Sequence, residues 1–474
     1  MGVESVDNLS RKACLPVNSL SLETWSRGRL GVREREMEKE LMQLLVTVFL
    51  WGTASFMVAP AITDVTVSAL CPAQYQCSLA IYLTGFQQAI TGLGAVMTTP
   101  LVGNLSDKYG RKALLTLPLA LSIFPLVILA CSRDTDFFYA YYVVKTLTAI
   151  VGDASVNCLS LAYVADKVGE AKRASAFGIL GGVSSASFVC GTLASRFLST
   201  ALTFRVAALF SMSSAMYMRI FLEESLVVGG GVRRPMLKER EAPCVEEIIS
   251  QNLDSSPPMF RTPPSLRDLI GLLKSSPSFS KAAIVCFFNS LADGGLQVSV
   301  LYFLKYRFQF SKNQFADLML INGVGATLVQ LLLMPVLVPV MGEEKLLSMG
   351  LFIGSITTSV YSLSWASWVP YALGVCTVFG ALVRPSISSI VSKQVGPAEQ
   401  GMVQGCFSGI SSSANIIAPL TFTPLTALFL SEEAPFYFPG FSIMCLGVSQ
   451  MIAFIQSIWI QAVPSNANCQ WQNQ

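Results

Sequence analysis

The sequence contains no histidine, and only 13% of its 474 residues are charged, against roughly a quarter in an average soluble domain. Histidine is the side chain whose unperturbed pKa lies closest to neutral pH, so any proton transfer must fall on carboxyl groups whose pKa is shifted by burial. Its absence also removes the Ser-His and Cys-His pairs of nucleophilic catalysis. We therefore expect a protein that is not an enzyme.

Paired cysteine motifs are missing as well, because the 12 cysteines include no CxxC pair. With no histidine to complete a zinc site, the sequence predicts neither a metal site nor a cofactor. The net charge is only +3, and no basic patch stands out beyond the loops that flank apolar runs, which argues against a nucleic-acid partner. Cys71 and Cys77 fall together in the first predicted external loop. An oxidising compartment would allow them to pair, and a disulfide and two free thiols are equally open.

Long apolar runs, by contrast, are abundant, since 52% of the residues are hydrophobic. About 20 apolar residues cross the hydrocarbon core of a bilayer as one helix. Twelve segments fit this length, and they centre on 41–62, 79–102, 113–132, 137–161, 175–195, 203–222, 281–303, 316–340, 346–365, 369–391, 403–429 and 437–460. The sequence therefore predicts an all-α, multi-pass membrane protein with twelve transmembrane helices, surrounded by the lipid bilayer.

One long polar interruption divides the predicted spans into six and six. It contains glycines at 229–231 and Pro-Pro pairs at 257–258 and 263–264, a composition typical of a flexible linker. A capping-box pattern at 265–268 also favours a short interfacial helix on the cytosolic face, and plain linker up to Ser280 is the alternative. The predicted divisions are a tail at 1–38, a six-helix bundle at 39–226, the linker at 227–280, a second six-helix bundle at 281–461 and a tail at 462–474.

Lysine and arginine in the short loops orient the predicted spans. In the first half they cluster after spans 2 and 4, whereas the loops after spans 1 and 3 contain only Arg133. This bias predicts a cytosolic amino terminus, and an even number of spans returns the carboxyl terminus to the cytosol. Lys305, Arg307 and Lys312 fall on the outer side in this arrangement and weaken the bias in the second half. The sequence does not distinguish the plasma membrane from an internal membrane.

The loop after span 2 concentrates charge between two apolar segments. It reads Gly103-Asn-Leu-Ser-Asp107-Lys108-Tyr-Gly110-Arg111-Lys112. This stretch resembles the loop signature G-x-L-S/A-D-R/K-x-G-R-R/K of the major facilitator superfamily of transporters at every fixed position. An ordinary charged cytosolic turn is the alternative interpretation.

A role for this loop follows from the partial positive charge at a helix amino terminus. We expect Asp107 to dock on the start of span 11 near Gly401, with Arg111 as its ion-pair partner. Gly401, Gly405 and Gly409 recur every four residues along span 11, which implies close backbone packing. The predicted conformational latch consists of Gly103, Asp107, Lys108, Gly110, Arg111 and Lys112.

An internal repeat supports the division into two halves. Residues 164–171 align without gaps with residues 391–398, so the loop between spans 4 and 5 matches the loop between spans 10 and 11. The charged loop also has a faded counterpart, in which Gly342 takes the place of Gly110 and Glu343 begins an acidic pair that replaces the basic pair. The repeat predicts two bundles related by a pseudo-two-fold axis.

Charged residues inside the predicted spans indicate a cavity. A charge at the centre of a membrane helix costs roughly 2.5 to 3.5 kcal/mol, so such residues usually face water or a partner. Spans 4, 7 and 10 contain four of them, with two amides beside them that could bind a polar solute. The predicted substrate and proton cavity is formed by Lys145, Asp153, Asn157, Asn289, Asp293 and Arg384. Buried structural ion pairs with no solute are the alternative.

Other stretches narrow the resemblance. Residues 162–166, which read AYVAD, are similar to the tetracycline-resistance branch of the superfamily, and residues 86–92 and 342–347, which read FQQAITG and GEEKLL, to the hippocampus-abundant-transcript family. The resemblance covers about 37–460 and implies twelve spans, alternating access and a cavity lined by the first helix of each three-helix unit. The drug-proton antiporters have G-P-x-x-G-G in span 5, whereas this chain has Cys190-Gly-Thr-Leu-Ala-Ser195. Proton antiport and drug export are therefore in doubt, while uniport and symport stay open.

These patterns predict a secondary active transporter that moves a small organic solute by alternating access, with or without coupled protons. The alternative is a non-transporting membrane sensor or trafficking partner that keeps the transporter fold and signals through its tail and linker.

Overall fold

The computed structural model describes residues 19–70, 78–225, 277–396, 399–431 and 434–461, and within these ranges it contains helices and no β-strand. The first half of the chain forms α1 (Ser19–Leu70), α2 (Ser78–Tyr109), α3 (Arg111–Leu121), α4 (Ile123–Cys131), α5 (Thr135–Val151), α6 (Asp153–Lys167), α7 (Glu170–Phe197) and α8 (Thr200–Phe221). The second half forms α9 (Pro277–Phe308), α10 (Lys312–Leu328), α11 (Met334–Met341), α12 (Glu343–Ser362), α13 (Val369–Thr377), α14 (Val383–Ser392), α15 (Gln400–Leu430) and α16 (Phe441–Gln461).

Among the described residues, 9 helical segments are long and apolar enough to cross a membrane. They are Glu36–Ile62, Arg111–Cys131, Thr135–Lys167, Glu170–Phe197, Ser278–Phe308, Gln314–Met341, Val369–Ser392, Gln400–Leu430 and Phe441–Ile460. Helices α2, α8 and α12 lie outside this set. Both α8 and α12 bury several Ser and Thr side chains, which lower the hydropathy of a helix without making it an outer-surface element.

Large apolar side chains cover the outside of the helices. Phe197, Val340 and Met97 are 83%, 78% and 73% exposed. Such a surface would be unfavourable in water and is favourable against lipid tails. The chain is therefore an integral, multi-pass membrane protein, as predicted.

Helices of the two halves meet along two main seams. Helix α2 packs along α15, and α7 packs along α10, with α6 also against α15. Within the first half, α1 packs against α7 and α8; within the second half, α9 and α12 pack against α16. One buried apolar cluster runs from Leu44 to Leu222 in the first half, and another from Phe279 to Ile460 in the second.

Four predicted spans are not continuous α-helices. Ser122 separates α3 from α4. Gly152, with φ −75° and ψ −99°, separates α5 from α6. A π-helical turn, Val329–Leu333, separates α10 from α11, and a 3₁₀ turn, Val378–Leu382, separates α13 from α14. Irregular backbone at membrane depth is tolerated where it is buried in protein or lines a cavity. The interruptions of α10–α11 and α13–α14 contribute residues to a cavity described below.

The ends of some elements differ from the predicted divisions. Helix α1 begins at Ser19, inside the segment predicted as a tail at 1–38, and α9 begins at Pro277, inside the predicted linker at 227–280. Cys71 and Cys77, the interfacial helix expected after Ser265 and the tail at 462–474 lie outside the described residues.

Candidate solute site and closing contacts

Two neighbouring cavities contain most of the predicted solute-binding residues. The first, here called the central cavity, has a volume of about 240 Å³ and lies between α6 of the first half and α9, α14 and α15 of the second. Asn157, Asn289 and Arg384 line it. The second, here called the side cavity, also has a volume of about 240 Å³ and lies among helices of the second half. Asp293 and Arg384 line it.

Arg384 is therefore the charged residue that the two cavities share. It lies in the first turn of α14, directly after the 3₁₀ turn, and its side chain is exposed although the helix is otherwise largely buried. Among the described residues it makes no hydrogen bond and no ion pair.

Asp293 supplies the opposite charge from α9. Its Oδ2 accepts a hydrogen bond of 3.0 Å from Nδ2 of Asn289, one helical turn earlier. Its side chain is also exposed to the side cavity, and it forms no ion pair with Arg384. Two opposite charges thus face the cavities from different helices without neutralising each other by direct contact.

Two predicted members of the set stand apart. Lys145 lies half-buried on α5 and is not among the residues that line either cavity, although it does have a bonding or electrostatic partner. Asp153 begins α6 directly after the break at Gly152, and its side chain lies outside the description. The structure therefore brings together Asn157, Asn289, Asp293 and Arg384, and their binding of a solute stays a prediction.

Sequence reasoning missed the polar face of α15. Five polar residues of this helix line the central cavity, namely Gln404, Ser408, Ser411, Ser412 and Asn415. Their spacing of four, three, one and three residues places them on one face of an α-helix. This periodicity was present in the sequence, but the glycine stripe on the same helix is the more prominent pattern.

Gln330 is a second residue that the sequence did not indicate. It lies in the π-helical turn, is buried, and its Oε1 accepts a hydrogen bond of 3.0 Å from Ser185 Oγ on α7. Its Nε2 donates to the carbonyl of Ala381 in the 3₁₀ turn at 2.8 Å. Gln330 thus connects the first half of the chain to both interrupted segments beside the side cavity.

The predicted latch residues do not line either cavity and lie at what we call the Asp107 end of the molecule. Asp107 Oδ1 accepts a hydrogen bond of 3.0 Å from the amide of Gly401, and Oδ2 accepts one of 2.8 Å from the amide of Met402. Both amides belong to the first turn of α15, where the helix dipole favours an anion. Arg111 forms an ion pair with the same carboxylate. Burial raises the pKa of the Asp107 carboxyl above its ordinary value, against the opposing effect of Arg111 and the two amides.

Arg111 connects this contact to the rest of the first half. Its side chain is fully buried, and its Nε donates to Asp166 Oδ2 at 2.9 Å while another nitrogen donates to Ser106. The hydroxyl of Ser225 donates to the same Asp166 oxygen at 3.0 Å. A buried arginine is thus saturated by acceptors, as its burial requires.

The backbone around the latch is shaped by glycine. Gly110 has φ +99°, in the left-handed region that favours glycine, and lets the chain turn from α2 into α3. The carboxylate of Glu224 then accepts hydrogen bonds from the amides of Arg111 and Lys112 at 2.6 and 3.1 Å, which caps α3. Gly103 faces the carbonyl of Gly401 so closely that a Cβ on either residue would overlap the other helix. Lys108 lies near the ring of Tyr109.

The second half repeats the ion pair of Arg111 and Asp166 with reversed charges. Glu343 follows Gly342, whose φ is +80°, as Arg111 follows Gly110, and Glu343 pairs with Lys393. In the repeat noted above, Lys393 aligns with Asp166, the partner of Arg111. The acidic loop of the second half therefore retains an ion pair between the segments equivalent to those that Arg111 and Asp166 join in the first half.

Arg173 forms a further contact between the halves. Its Nη2 donates to the carbonyl of Ala165 at 3.0 Å, and its Nη1 donates to the carbonyl of Ser392 at 3.1 Å. The repeat aligns Arg173 with Gln400 and Ala165 with Ser392, and Gln400 Nε2 indeed donates to Ser392 at 2.9 Å. Arg173 therefore bonds to equivalent carbonyls of both halves, whereas the bonds of Gln400 stay within the second half.

The opposite end of the molecule, here called the Arg196 end, is held differently. Arg196 at the end of α7 pairs with Asp317 near the start of α10, with 3.3 Å between Nη1 and Oδ1. The side chains are 46% and 52% exposed. This ion pair also joins the first half to the second, but in contact with solvent.

Comparison with known proteins decides the family. The Major Facilitator Superfamily profile matches residues 44–419, well over half of the chain. The chain belongs to the Major Facilitator Superfamily. Members of this superfamily are transporters, so this superfamily member is a transporter and not an enzyme, as the sequence predicted.

Relatives within the superfamily agree with the resemblance noted above. Hippocampus abundant transcript 1 protein of Mus musculus is 23% identical over 354 residues, which cover 74% of this chain and 67% of that protein. Multidrug resistance protein 2 of Bacillus subtilis is 25% identical over 369 residues, covering 77% and 84%. The class G tetracycline resistance protein of Vibrio anguillarum is 23% identical over 349 residues, covering 72% and 81%. The resemblance to the hippocampus-abundant-transcript and tetracycline-resistance proteins is confirmed.

Solved structures show the same fold. The human organic anion transporter MFSD10 (TETRAN) superimposes with a TM-score of 0.71 at 18% identity, covering 89% of this chain and 99% of that one. A bacterial homologue of the iron transporter ferroportin, in an outward-facing state, gives 0.65 at 13% identity, covering 90% and 100%. At these identities the likeness concerns the fold alone.

Proposed function

We propose that this superfamily member is a secondary active transporter that moves a small polar organic solute by alternating access. The observation that carries the proposal is the pair of opposite charges, Asp293 and Arg384, exposed to cavities within a membrane protein. Ionisable side chains at membrane depth are costly and occur mainly where they face a solute or ion pathway. The central cavity also lies between residues of both halves, where relative movement of the halves would open it.

The proposal includes twelve spans in two six-helix bundles. Helices α2, α8 and α12 would add three spans to the nine apolar segments, while α3–α4, α5–α6, α10–α11 and α13–α14 would each count as one. Matching features support the repeat: glycines with positive φ at 110 and 342, and the equivalent bonds Arg173–Ala165 and Gln400–Ser392. Solute access would then alternate as one bundle rocks against the other.

The positive-inside bias of the loops favours a cytosolic Asp107 end. In that orientation, Asp107 and Arg173 would hold the cytosolic side closed while the other side admits the solute. The latch would act on the rate of conversion between states, with the solute bound elsewhere. The names of the relatives refer to tetracycline, several drugs and organic anions, so they support a small organic solute without choosing one.

Transport can be tested with the purified full-length protein in liposomes. We expect at least one compound of a mixed solute library to accumulate above protein-free liposomes, measured by mass spectrometry with and without a pH gradient. At least one of Arg384→Gln and Asp293→Asn should lower the initial rate by at least about tenfold, because a hydrogen bond to a charged group contributes about 1.5 to 3 kcal/mol. If no compound is taken up, with or without a pH gradient, transport is contradicted. If uptake is unaffected by both substitutions, the solute pathway lies elsewhere.

A further inference from the structure

Arg384 differs from Arg111 and Arg173 in making no hydrogen bond and no ion pair within the described part of the chain, although Asp293 lies near enough to interact with it electrostatically. Arg111 and Arg173 each donate to several acceptors and are nearly or fully buried. Arg384 lies at the junction of the central and side cavities, is exposed to them, and makes no hydrogen bond or ion pair with a described residue. Its donors are therefore available to a molecule that enters either cavity.

The geometry of a guanidinium restricts what that molecule can be. Its N–H donors form a planar, rigid fork that matches the two oxygens of a carboxylate, and such bidentate pairs are stronger than neutral hydrogen bonds. Asp293 lines the same side cavity and attracts Arg384 without an ion pair, so in the empty cavity the donors of the guanidinium are left to water, which is costly at membrane depth.

The surrounding charges limit the anion to one negative charge. Asp293 is the carboxylate among the lining residues, and it already accepts the amide of Asn289. Lys145 does not line either cavity, so no second described cation stands beside Arg384. A phosphate group carries about −1.5 to −2 charges at neutral pH, and one guanidinium would leave part of that charge unbalanced.

The remaining walls of the central cavity are uncharged and mixed, with hydroxyls and amides contributed mainly by α15 and apolar side chains that include Leu161, Ile387 and Phe407. They suit the hydroxyl, keto or amide groups of a small molecule. A volume of about 240 Å³ lies below the range of about 300 to 1,000 Å³ that drug-sized ligands occupy.

We propose that the solute is a small organic carboxylate whose carboxyl group is held by Arg384. This inference rests on the proposed transport function and specifies its substrate class. Two sources share this chemistry. An amino acid would place its ammonium group near Asp293, whereas a carboxylic acid without an amine would leave Asp293 to its bond with Asn289.

Binding can be measured on the purified full-length protein by ligand-induced shifts in unfolding temperature. The probes are lactate, benzoate, alanine and glutamate, each compared with its primary amide, which has the same shape and lacks the charge at that position. We expect at least one acid to raise the unfolding temperature while its amide does not. Arg384→Gln should weaken the binding of that acid by at least about tenfold. Arg384→Lys keeps the charge and loses the planar fork of donors, so its affinity should lie between those of the unchanged protein and Arg384→Gln.

Matched variants separate this effect from misfolding and from general charge effects. Arg205→Gln removes an exposed arginine of α8 that lines neither cavity and should leave the shift unchanged. The unfolding temperature of Arg384→Gln without ligand reports whether that variant is folded. Asp293→Asn distinguishes the two kinds of carboxylate, because it should weaken the binding of an amino acid and leave the binding of an acid without an amine nearly unaffected.

Several results would overturn the substrate class. These are an amide as effective as its acid, an acid shift that persists in Arg384→Gln, a response to inorganic phosphate in place of the acids, and no response to any acid. If the liposome assay then shows uptake of a neutral or cationic solute, transport stands and only the carboxylate is wrong. If acids bind through Arg384 but nothing crosses the membrane, the carboxylate site stands and the transport function is wrong.

Discussion

The two ends of the molecule join the halves of the chain by different means. At the Asp107 end the contacts are buried, and charged side chains bond directly to backbone groups of the other half. At the Arg196 end the described ion pair has both side chains about half exposed. An exposed ion pair contributes about 0 to 1 kcal/mol, whereas removing one partner of a buried pair costs about 3 to 5 kcal/mol. We therefore expect the Arg196 end to open more readily than the Asp107 end.

The largest effect is expected from Asp107→Asn. The substitution removes the charge that pairs with Arg111 and faces the amino terminus of α15, so it should cost the closed arrangement about 3 kcal/mol or more. Cys158 is fully buried with its Sγ 3.8 Å from the carbonyl of Gly401, so its thiol reports opening at this end. Maleimide labelling of Cys158, followed by mass spectrometry, should become at least about a hundredfold faster.

The matched control for this variant is Asp134→Asn, which removes an exposed carboxylate before α5 and should leave Cys158 protected. Solute affinity in Asp107→Asn should stay within a few-fold while the transport rate falls. A selective loss of affinity with unchanged labelling would show that Asp107 belongs to the solute site and would remove the basis of the comparison.

Gly401→Ala tests the same end by overpacking. A Cβ at this position would overlap Nη1 of Arg111 and the carbonyl of Gly103 and approach Ser106 Oγ, so the helices must separate. Overpacking costs about 1 to 3 kcal/mol, and Cys158 labelling should rise by about 5 to 150-fold. Gly396→Ala is the control, because a Cβ at Gly396 meets nothing within 4 Å. Equal labelling in the two variants would mean that close packing of α2 on α15 does not hold this end closed.

The difference between the ends also shows what a sequence can reveal. The partner of Asp107 could be predicted because the carboxylate, the basic residues and the glycine stripe are each local patterns with one physical interpretation. The same holds for the apolar helices and for the cost of Asp293 and Arg384 inside them. The role of Asp107 as a latch nevertheless stays a prediction until it is measured.

Contacts that depend on the packing of one half against the other could not be predicted in this way. The second bond of Arg173 reaches a carbonyl more than two hundred positions away, and nothing near Arg173 in the sequence distinguishes it from a surface arginine. Glu343 and Lys393 are far apart in the sequence, so neither residue alone predicts the ion pair that they form. The π-helical and 3₁₀ turns arise from packing, so predicted spans 8 and 10 appear continuous in the sequence.

Arg173→Gln should have a smaller effect than the changes at Asp107 and Gly401. Glutamine is what the repeat places at the equivalent position 400, and it can keep the bond to Ala165 while losing the bond to Ser392. A hydrogen bond from a charged group contributes about 1.5 to 3 kcal/mol, part of which the remaining bond retains. Labelling of Cys158 should rise by about tenfold or less. A rise as large as that of Asp107→Asn would make Arg173 the stronger of the two contacts.

The smallest effect is expected from Arg196→Gln at the other end. Because both members of the ion pair are about half exposed, its loss should cost at most about 1 kcal/mol, so transport rates should change by no more than about fivefold. The change should diminish further at high salt, which screens exposed charges, and Asp317→Asn should reproduce it without adding to it. Labelling of Cys158 should not increase, since that thiol lies at the Asp107 end. If Arg196→Gln instead slowed transport as much as Asp107→Asn, the two ends would contribute equally, and burial would not explain which side of the transporter stays closed.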